Sequence, residues 1–222
     1  MATRMVTITI ADDGARCEQT FAAELAMLPD RLRRFVVESY RACCQEWYWY
    51  APASLTGQYH PRPCRQLGGL VRHVRLACWW ARRLGARWGD GYDCSEAVAA
   101  LLLHDLRKYA PGVPFGQHGP AAGYALHRWW FEGGGRIDRP VADEQIRRII
   151  AAVHFHMGIW GEGPSGIANG ELAAMLLVEL VQLADVAAAA AADEQIAELA
   201  NWLPPYLRSE TPAAAEAAKE QP

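Results

Sequence analysis

The chain is short of several features that would have placed it at once. Its six cysteines (Cys17, Cys43, Cys44, Cys64, Cys78 and Cys94) form no CxxC pair and no regular spacing, and no secretory signal precedes them. That pattern argues against a disulfide framework and predicts reduced thiols in a cytoplasmic protein. There is no excess of positive charge. The formal net charge is -3 at pH 7, so nothing pulls the whole molecule toward nucleic acid or acidic membranes, and any basic site must be local. No apolar run is clean enough to span a bilayer: the best, Leu172 to Ala192, is interrupted by Glu179, Gln182 and Asp185, and charges at a helix centre are expensive there. It reads instead as a buried helix in a protein with no membrane partner. Alternating hydrophobicity is confined to the early "MVTITI", and no internal repeat occurs.

What is present suits a globular fold. With 222 residues, 51% of them hydrophobic and 21% charged, the chain can bury one good-sized core. Residues 1–20 read as an N-terminal arm or short strand, 21–207 as a single helical domain, and 208–222 as a disordered tail without apolar pattern. Residues 21–48 have helical spacing with a break and restart at Pro29-Asp30. A Pro- and Gly-rich loop covers 51–69, and a helix follows from about Leu70 to Leu84. Asp93 and Glu96 resemble a capping box for a helix running to about Lys108, and Pro120 suits the first position of another. Asp143 to about Met157 forms the next, halted by Gly158, and Asn169 is placed to cap a long helix over 171–193. The expected fold class is an all-α bundle with long polar loops.

Within that bundle the polar residues fall in unusual places. "LLLHDLRK" runs three leucines into His104 and Asp105, and such a pair left dry and unpaired costs several kcal/mol. Positions three, four and seven apart share a helix face. His73 lies with Leu76, Ala77, Trp80 and Leu84; Asp185 lies with Val178, Val181, Ala188 and Ala192; His156 lies with Ile146, Ile149 and Val153. Each one alone would be an ordinary hydrogen-bonded core residue. As a set they suit a metal, for which neutral imidazole and carboxylate are ligands.

The order His73, then His104-Asp105, then Asp185 on successive helices resembles the HD-domain superfamily of metal-dependent phosphohydrolases. "GGLVRHV" is similar to that family's first-histidine helix, "LLLHDLRK" to its HD-x-x-K signature, and "LADVAA" to its final aspartate segment. "PASLTGQYHP" and "HFHMGIW" resemble segments of a stand-alone subgroup found in phages and prokaryotes, so the likeness spans about 49–190. It implies an HD-domain-like helical bundle in which His73, His104, Asp105 and Asp185 hold one ion. It further implies His118 and His156 as ligands of a second ion, with Asp105 bridging. His127 and His154 are rivals for the second position. His154 and His156 point about 200° apart unless the helix ends between them, and the apolar companions of His156 favour it.

The expected activity is hydrolysis of a nucleotide or another small phosphate ester or diester, with Asp105 and Lys108 at the catalytic centre. One or two divalent transition metal ions are expected, and an imidazole-rich set suits Mn, Fe, Co, Ni or Zn better than Mg. Lys108 either contacts phosphate or complements the helix dipole. Between Trp47 and Gly89 there is no Asp or Glu but there are seven arginines. The helical wheel assigns Arg72, Arg75 and Arg82 to a solvated face. His60, Arg62 and Arg65, in the loop, remain available to a phosphorylated substrate, and loops at a site's mouth commonly carry specificity. The tryptophan-rich "WYWY" and the pairs Trp79-Trp80 and Trp129-Trp130 read as core packing. Two other functions fit the same residues: a nucleotide or single-stranded nucleic-acid binding module with a structural metal, and a di-iron oxygenase. A homo-oligomer is compatible with all three.

Overall fold

Every residue of the short helix α5 (Ser95–Leu103) except Glu96 is buried, because its apolar residues lie all round and leave no face for water. The other helices are arranged about it. The computed structural model describes residues 12–86, 93–114, 116–132, 142–158 and 172–190. Among these residues there are eight α-helices and no strand. Helices α3 (Asp30–Cys43), α4 (Gly69–Gly85), α7 (Asp143–Phe155) and α8 (Leu172–Ala190) pack directly on α5. The most extensive seam joins α4 to α8, and α6 (His118–His127) lies along α7 and touches α3. The protein is an all-α bundle. No helix among the described residues is long and apolar enough to cross a membrane. All six cysteines are free thiols.

Several expectations are corrected by packing. Residues 13–20, expected within an arm, form helix α1 (Asp13–Thr20), with the Asp12 carboxylate accepting from the Gly14 N–H at 2.7 Å. Cys17 on that helix is buried against α3, and the short α2 (Ala22–Leu25) follows. The "MVTITI" run, Asn169 and the 208–222 tail lie outside the described residues. Arg75 is not on a solvated face: α1 and α2 cover it, so that it donates to the Thr20 carbonyl and stands 4.0 Å from the buried Glu24. Helix α6 starts at His118, two residues before Pro120. One side of α8 is exposed at Met175, Leu183 and Val186, so that helix is buried on one face only. The tryptophans expected in the core divide: Trp49 and Trp130 are buried, and Trp49 packs on Phe21, Tyr40 and Tyr48.

The end of α5 differs most from expectation and matters most. Asp93 does cap the start, accepting from the Ser95 N–H at 2.8 Å, but Glu96 is drawn sideways to Arg148 and Gln145 of α7 instead of completing a capping box. The helix stops at Leu103, five residues short of Lys108, because other groups take its last carbonyls. Leu101 O accepts from His104 Nδ1 at 2.6 Å, Leu102 O from the Tyr40 hydroxyl at 2.6 Å, and Leu103 O from the Leu106 N–H at 3.2 Å. Since the Tyr40 proton is committed to Leu102, the Tyr48 hydroxyl must donate to Tyr40 across their 2.9 Å contact. The chain then enters a series of turns over 104–109.

Tyr40→Phe should strip Leu102 O of its partner while leaving the ring in place. A buried carbonyl left unpaired costs about 1–3 kcal/mol. Urea unfolding should show a lower midpoint with an unchanged slope; an unchanged midpoint would refute this account of how α5 ends.

Candidate metal centre

Five separate segments deliver side chains to one point beside the end of α5. His73 comes from the face of α4 that also carries Leu70, Val74 and Ala77, all buried. His104 and Asp105 follow the last residue of α5, and His118 opens α6. His156 lies one residue beyond the end of α7, and Asp185 comes from α8. The termination of α7 at Phe155 falls between His154 and His156, which resolves the angular conflict in the helical spacing. His156 turns inward, whereas His154 stacks on Phe155 and Tyr124, and the exposed His127 faces Glu132 at 3.6 Å.

Asp105 is the centre of the arrangement, and its two oxygens face different partners. Oδ2 stands 3.3 Å from His104 Nε2, 3.9 Å from His73 Nε2 and 2.9 Å from Lys108 Nζ. Oδ1 stands 3.0 Å from His118 Nε2 and 3.8 Å from His156 Nε2, and those two nitrogens are 3.2 Å apart. Asp185 Oδ1 completes the first group, 2.8 Å from His73 Nε2 and 3.6 Å from His104 Nε2. Ligands held at ordinary Zn–N or Zn–O lengths about one ion lie roughly 3.0–3.5 Å from one another, and the contacts found, from 2.8 to 3.9 Å, bracket that spacing. Three sets, His73-His104-Asp105, His104-His156-Asp185 and Asp105-His118-His156, each bring their ligand atoms within 4.8 Å of one another.

Alignment separates this cluster from an ordinary polar core. His73 Nε2, His104 Nε2 and Asp105 Oδ1 are buried, and despite their short contacts none is aligned as a hydrogen bond. Buried polar atoms normally are. The lone pairs converge on shared points instead, as ligands to a cation would. His73 Nδ1 is buried without a hydrogen bond, but two of the outward nitrogens agree: His104 Nδ1 donates to Leu101 O at 2.6 Å and His156 Nδ1 to Val153 O at 2.7 Å. A carbonyl can only accept, so the proton sits on Nδ1 and Nε2 is left to face inward. The residues therefore fit a metal ion.

The charges are tightly coupled. Burial opposes ionisation of Asp105, yet the charges of His104 and Lys108 hold its carboxyl well below the usual range. Asp185 is likewise depressed against its burial by His104 and His73. Burial works against a charged His104, but the Asp105 and Asp185 carboxylates together outweigh it and lift that ring to about 10. His156 is pushed down to about 3 by burial and by the neighbouring His104 and His118. Burial lowers His73 as well.

The residues expected to meet substrate are less uniformly placed. Lys108 is buried, and its ammonium pairs with Asp105; because α5 ends at Leu103, the dipole alternative fails. The His60 ring stands edge to face with His73, centroids 4.8 Å apart, and its Nδ1 is buried without a hydrogen bond. Arg62 and Arg65 are exposed on the same loop, with Arg65 Nε donating to the His60 carbonyl. Of the six clustered residues, Asp185 is the most open, at 18% against 0–4% for the others, so the cluster is least covered on its side.

Two glycines shape the centre. A Cβ on Gly119 would lie 2.8 Å from the His154 carbonyl and 3.1 Å from the His156 ring, so glycine is what lets His118 and His156 meet. A Cβ on Gly69 would lie 2.0 Å from the Cys64 carbonyl, where α4 begins. "HGPAAG" holds the signal, a glycine inside a helix beside a histidine, but not what it packs against. Comparison with protein-family models, with curated proteins and with solved structures finds no match for this chain.

Gly119→Ala should force α6 and α7 apart at a cost of about 1–3 kcal/mol, and should weaken metal binding at the His118-His156 pair more than at His73-His104. Titration with Mn or Zn followed by calorimetry would show this as loss of the weaker binding event only. A separate expectation concerns pH. In the metal-free chain His104 carries a proton up to about pH 10, and a metal must displace it. Affinity should therefore rise toward about tenfold per unit between pH 6 and 8, with a proton released on binding; calorimetry in two buffers of different ionisation enthalpy measures that release directly.

Proposed function

We propose that this protein is a metal-dependent phosphohydrolase of the HD type, acting on a nucleotide or another small phosphate ester or diester. The observation that carries the reading is the bridge at Asp105, whose two oxygens face two separate histidine groups with the Lys108 ammonium alongside. A metal bound there would polarise a phosphoryl oxygen and lower the pKa of water. The rest of the chemistry belongs to the chain. His73, His104, Asp105 and Asp185 would hold one ion, and Asp105, His118 and His156 a second. Hydrogen bonds to the carbonyls of Leu101 and Val153 keep two of the imidazoles turned inward. Lys108 supplies a fixed positive charge to the phosphoryl oxygens as their charge grows. His60, Arg62 and Arg65 approach the substrate from the loop. Five of the six residues that would ligate are buried, which keeps most of the donor set away from bulk water.

The donor set, four imidazoles and two carboxylates, favours Mn, Fe, Co, Ni or Zn over Mg. All six cysteines are free, in keeping with a reducing cytoplasm. The same six donors would also serve a di-iron oxygenase, which bound iron together with O2 consumption would reveal. Salt-sensitive binding of single strands without turnover would instead identify a nucleic-acid module.

Elemental analysis of protein purified without added metal, followed by a phosphate-release screen over nucleotides and phosphodiesters, tests the proposal. Asp105→Ala should lower hydrolysis by at least about 10³-fold and reduce bound metal, with the far-UV circular dichroism unchanged. Lys108→Met should lower kcat by about 10²-fold while metal is retained. Full activity in the folded Asp105 variant would refute the reading.

A further inference from the structure

Tyr109 is the one non-glycine residue with positive φ among the described residues, at 62°. That region is costly for a side chain with a Cβ, and at the same position glycine or asparagine would be relaxed. The side chain explains what the turn retains it for. Its hydroxyl donates to the Ala53 carbonyl at 3.1 Å, and its ring lies 6.4 Å from that of Trp47. Ala53 stands at the neck of the loop that carries His60: its N–H donates to the Cys64 carbonyl at 2.8 Å, closing residues 53–64 into one unit. Beside it the chain segments run together, with Gly68 N–H on Tyr50 O and Leu70 N–H on Ala51 O, both at 2.9 Å. On the other side of Tyr109 is Lys108, whose ammonium rests on Asp105. His60 and Lys108, which reach toward substrate from outside the ligand set, thus come from distant parts of the sequence, and Tyr109, next to Lys108 in the chain, is bonded to the neck of the loop that carries His60.

We propose that Tyr109 is a positioning residue, which locks the His60 loop to the Lys108 turn so that these two groups keep a fixed spacing across the open side of the metal centre. This rests on the phosphohydrolase reading for its effect on catalysis, though not for the clamp itself. The left-handed backbone turns the chain immediately after Lys108, and the phenol fastens that turn to the loop neck. The hydroxyl's partner is a backbone carbonyl, so the hydroxyl and the backbone angle define the clamp.

Three forms of the full chain separate the contributions: wild type, Tyr109→Phe, which keeps the ring and removes the hydroxyl, and Tyr109→Gly, which relaxes the backbone and removes the clamp altogether. The first readout is amide hydrogen exchange over residues 51–67 without substrate. Exchange there should quicken about fivefold or more in Tyr109→Phe and further in Tyr109→Gly, while α4 and α5 stay protected. The second is steady-state kinetics on whichever phosphate ester the wild type hydrolyses. Tyr109→Phe should raise KM about five- to tenfold with kcat within about twofold and metal content unchanged, a split that general loss of stability would not produce. Unchanged exchange in both variants overturns the clamp. Faster exchange with unaltered KM, or a fall in kcat with metal loss, overturns the positioning role. If wild type hydrolyses no phosphate ester, the reading of the metal centre fails by itself, the positioning role falls with it, and the exchange measurement still decides whether the clamp exists.

Discussion

A carboxylate charge held away from water at Asp105 sets the terms for the rest of the molecule. Even after relaxation, burying an ion costs several kcal/mol, and the expense is tolerable only if opposite charge and well-placed partners surround it. Here the surroundings come from five segments of chain. The Lys108 ammonium and the His104 ring stand against Oδ2, while His118 and His156 approach Oδ1. None of these could be supplied by α5 alone. The helix that carries the apolar leucines must end one residue earlier, so that His104 can fold back on its own last turn and Asp105 can project into the gap. Tyr40 makes that ending stable by taking a carbonyl that would otherwise be orphaned in the core.

The same constraint connects packing with chemistry. The imidazoles of His104 and His156 are each turned by a backbone carbonyl three residues earlier, so their inward nitrogens are fixed by local helix geometry and not by each other. Close approach between α6 and α7 depends on Gly119, where any side chain would meet the His154 carbonyl. A cluster assembled in this way is poorly satisfied as a set of hydrogen bonds and well satisfied as a set of ligands, which is why it supports a metal centre more strongly than it supports a polar core. Its exposure is one-sided. Asp185 on α8 is the most open member of the cluster, and His60 adjoins His73 from the loop.

Much of this was legible in the residues. The break at Pro29-Asp30, the helix carrying His73 and the long helix carrying Asp185 follow from spacing, and a period of 3.6 places His73 on the buried face of α4, while Asp185 is partly exposed and His156 lies just past the end of α7. The choice of His156 over His154 followed from its apolar companions, and the end of α7 between them shows why both need not share a face. Other features were not legible because they depend on what packs alongside. Arg75 reads as solvated on a wheel, and is covered only because α1 and α2 fold across it. Glu96 reads as a capping residue, and is instead claimed by Arg148 of a helix some fifty positions later. Gly119 and Tyr109 look unremarkable in sequence, since a close approach and a left-handed backbone leave no periodic trace.

Local physics thus determined the helical class, the inward faces and the residue types at the centre, because periodicity and side-chain chemistry are properties of neighbouring positions along the chain. Tertiary structure decided where α5 stops, which oxygen of Asp105 meets which histidine, how Lys108 is held and which side is open. Those outcomes turn on competition among partners far apart in sequence for the same carbonyls, carboxylates and space, and only the assembled bundle brings the competitors together.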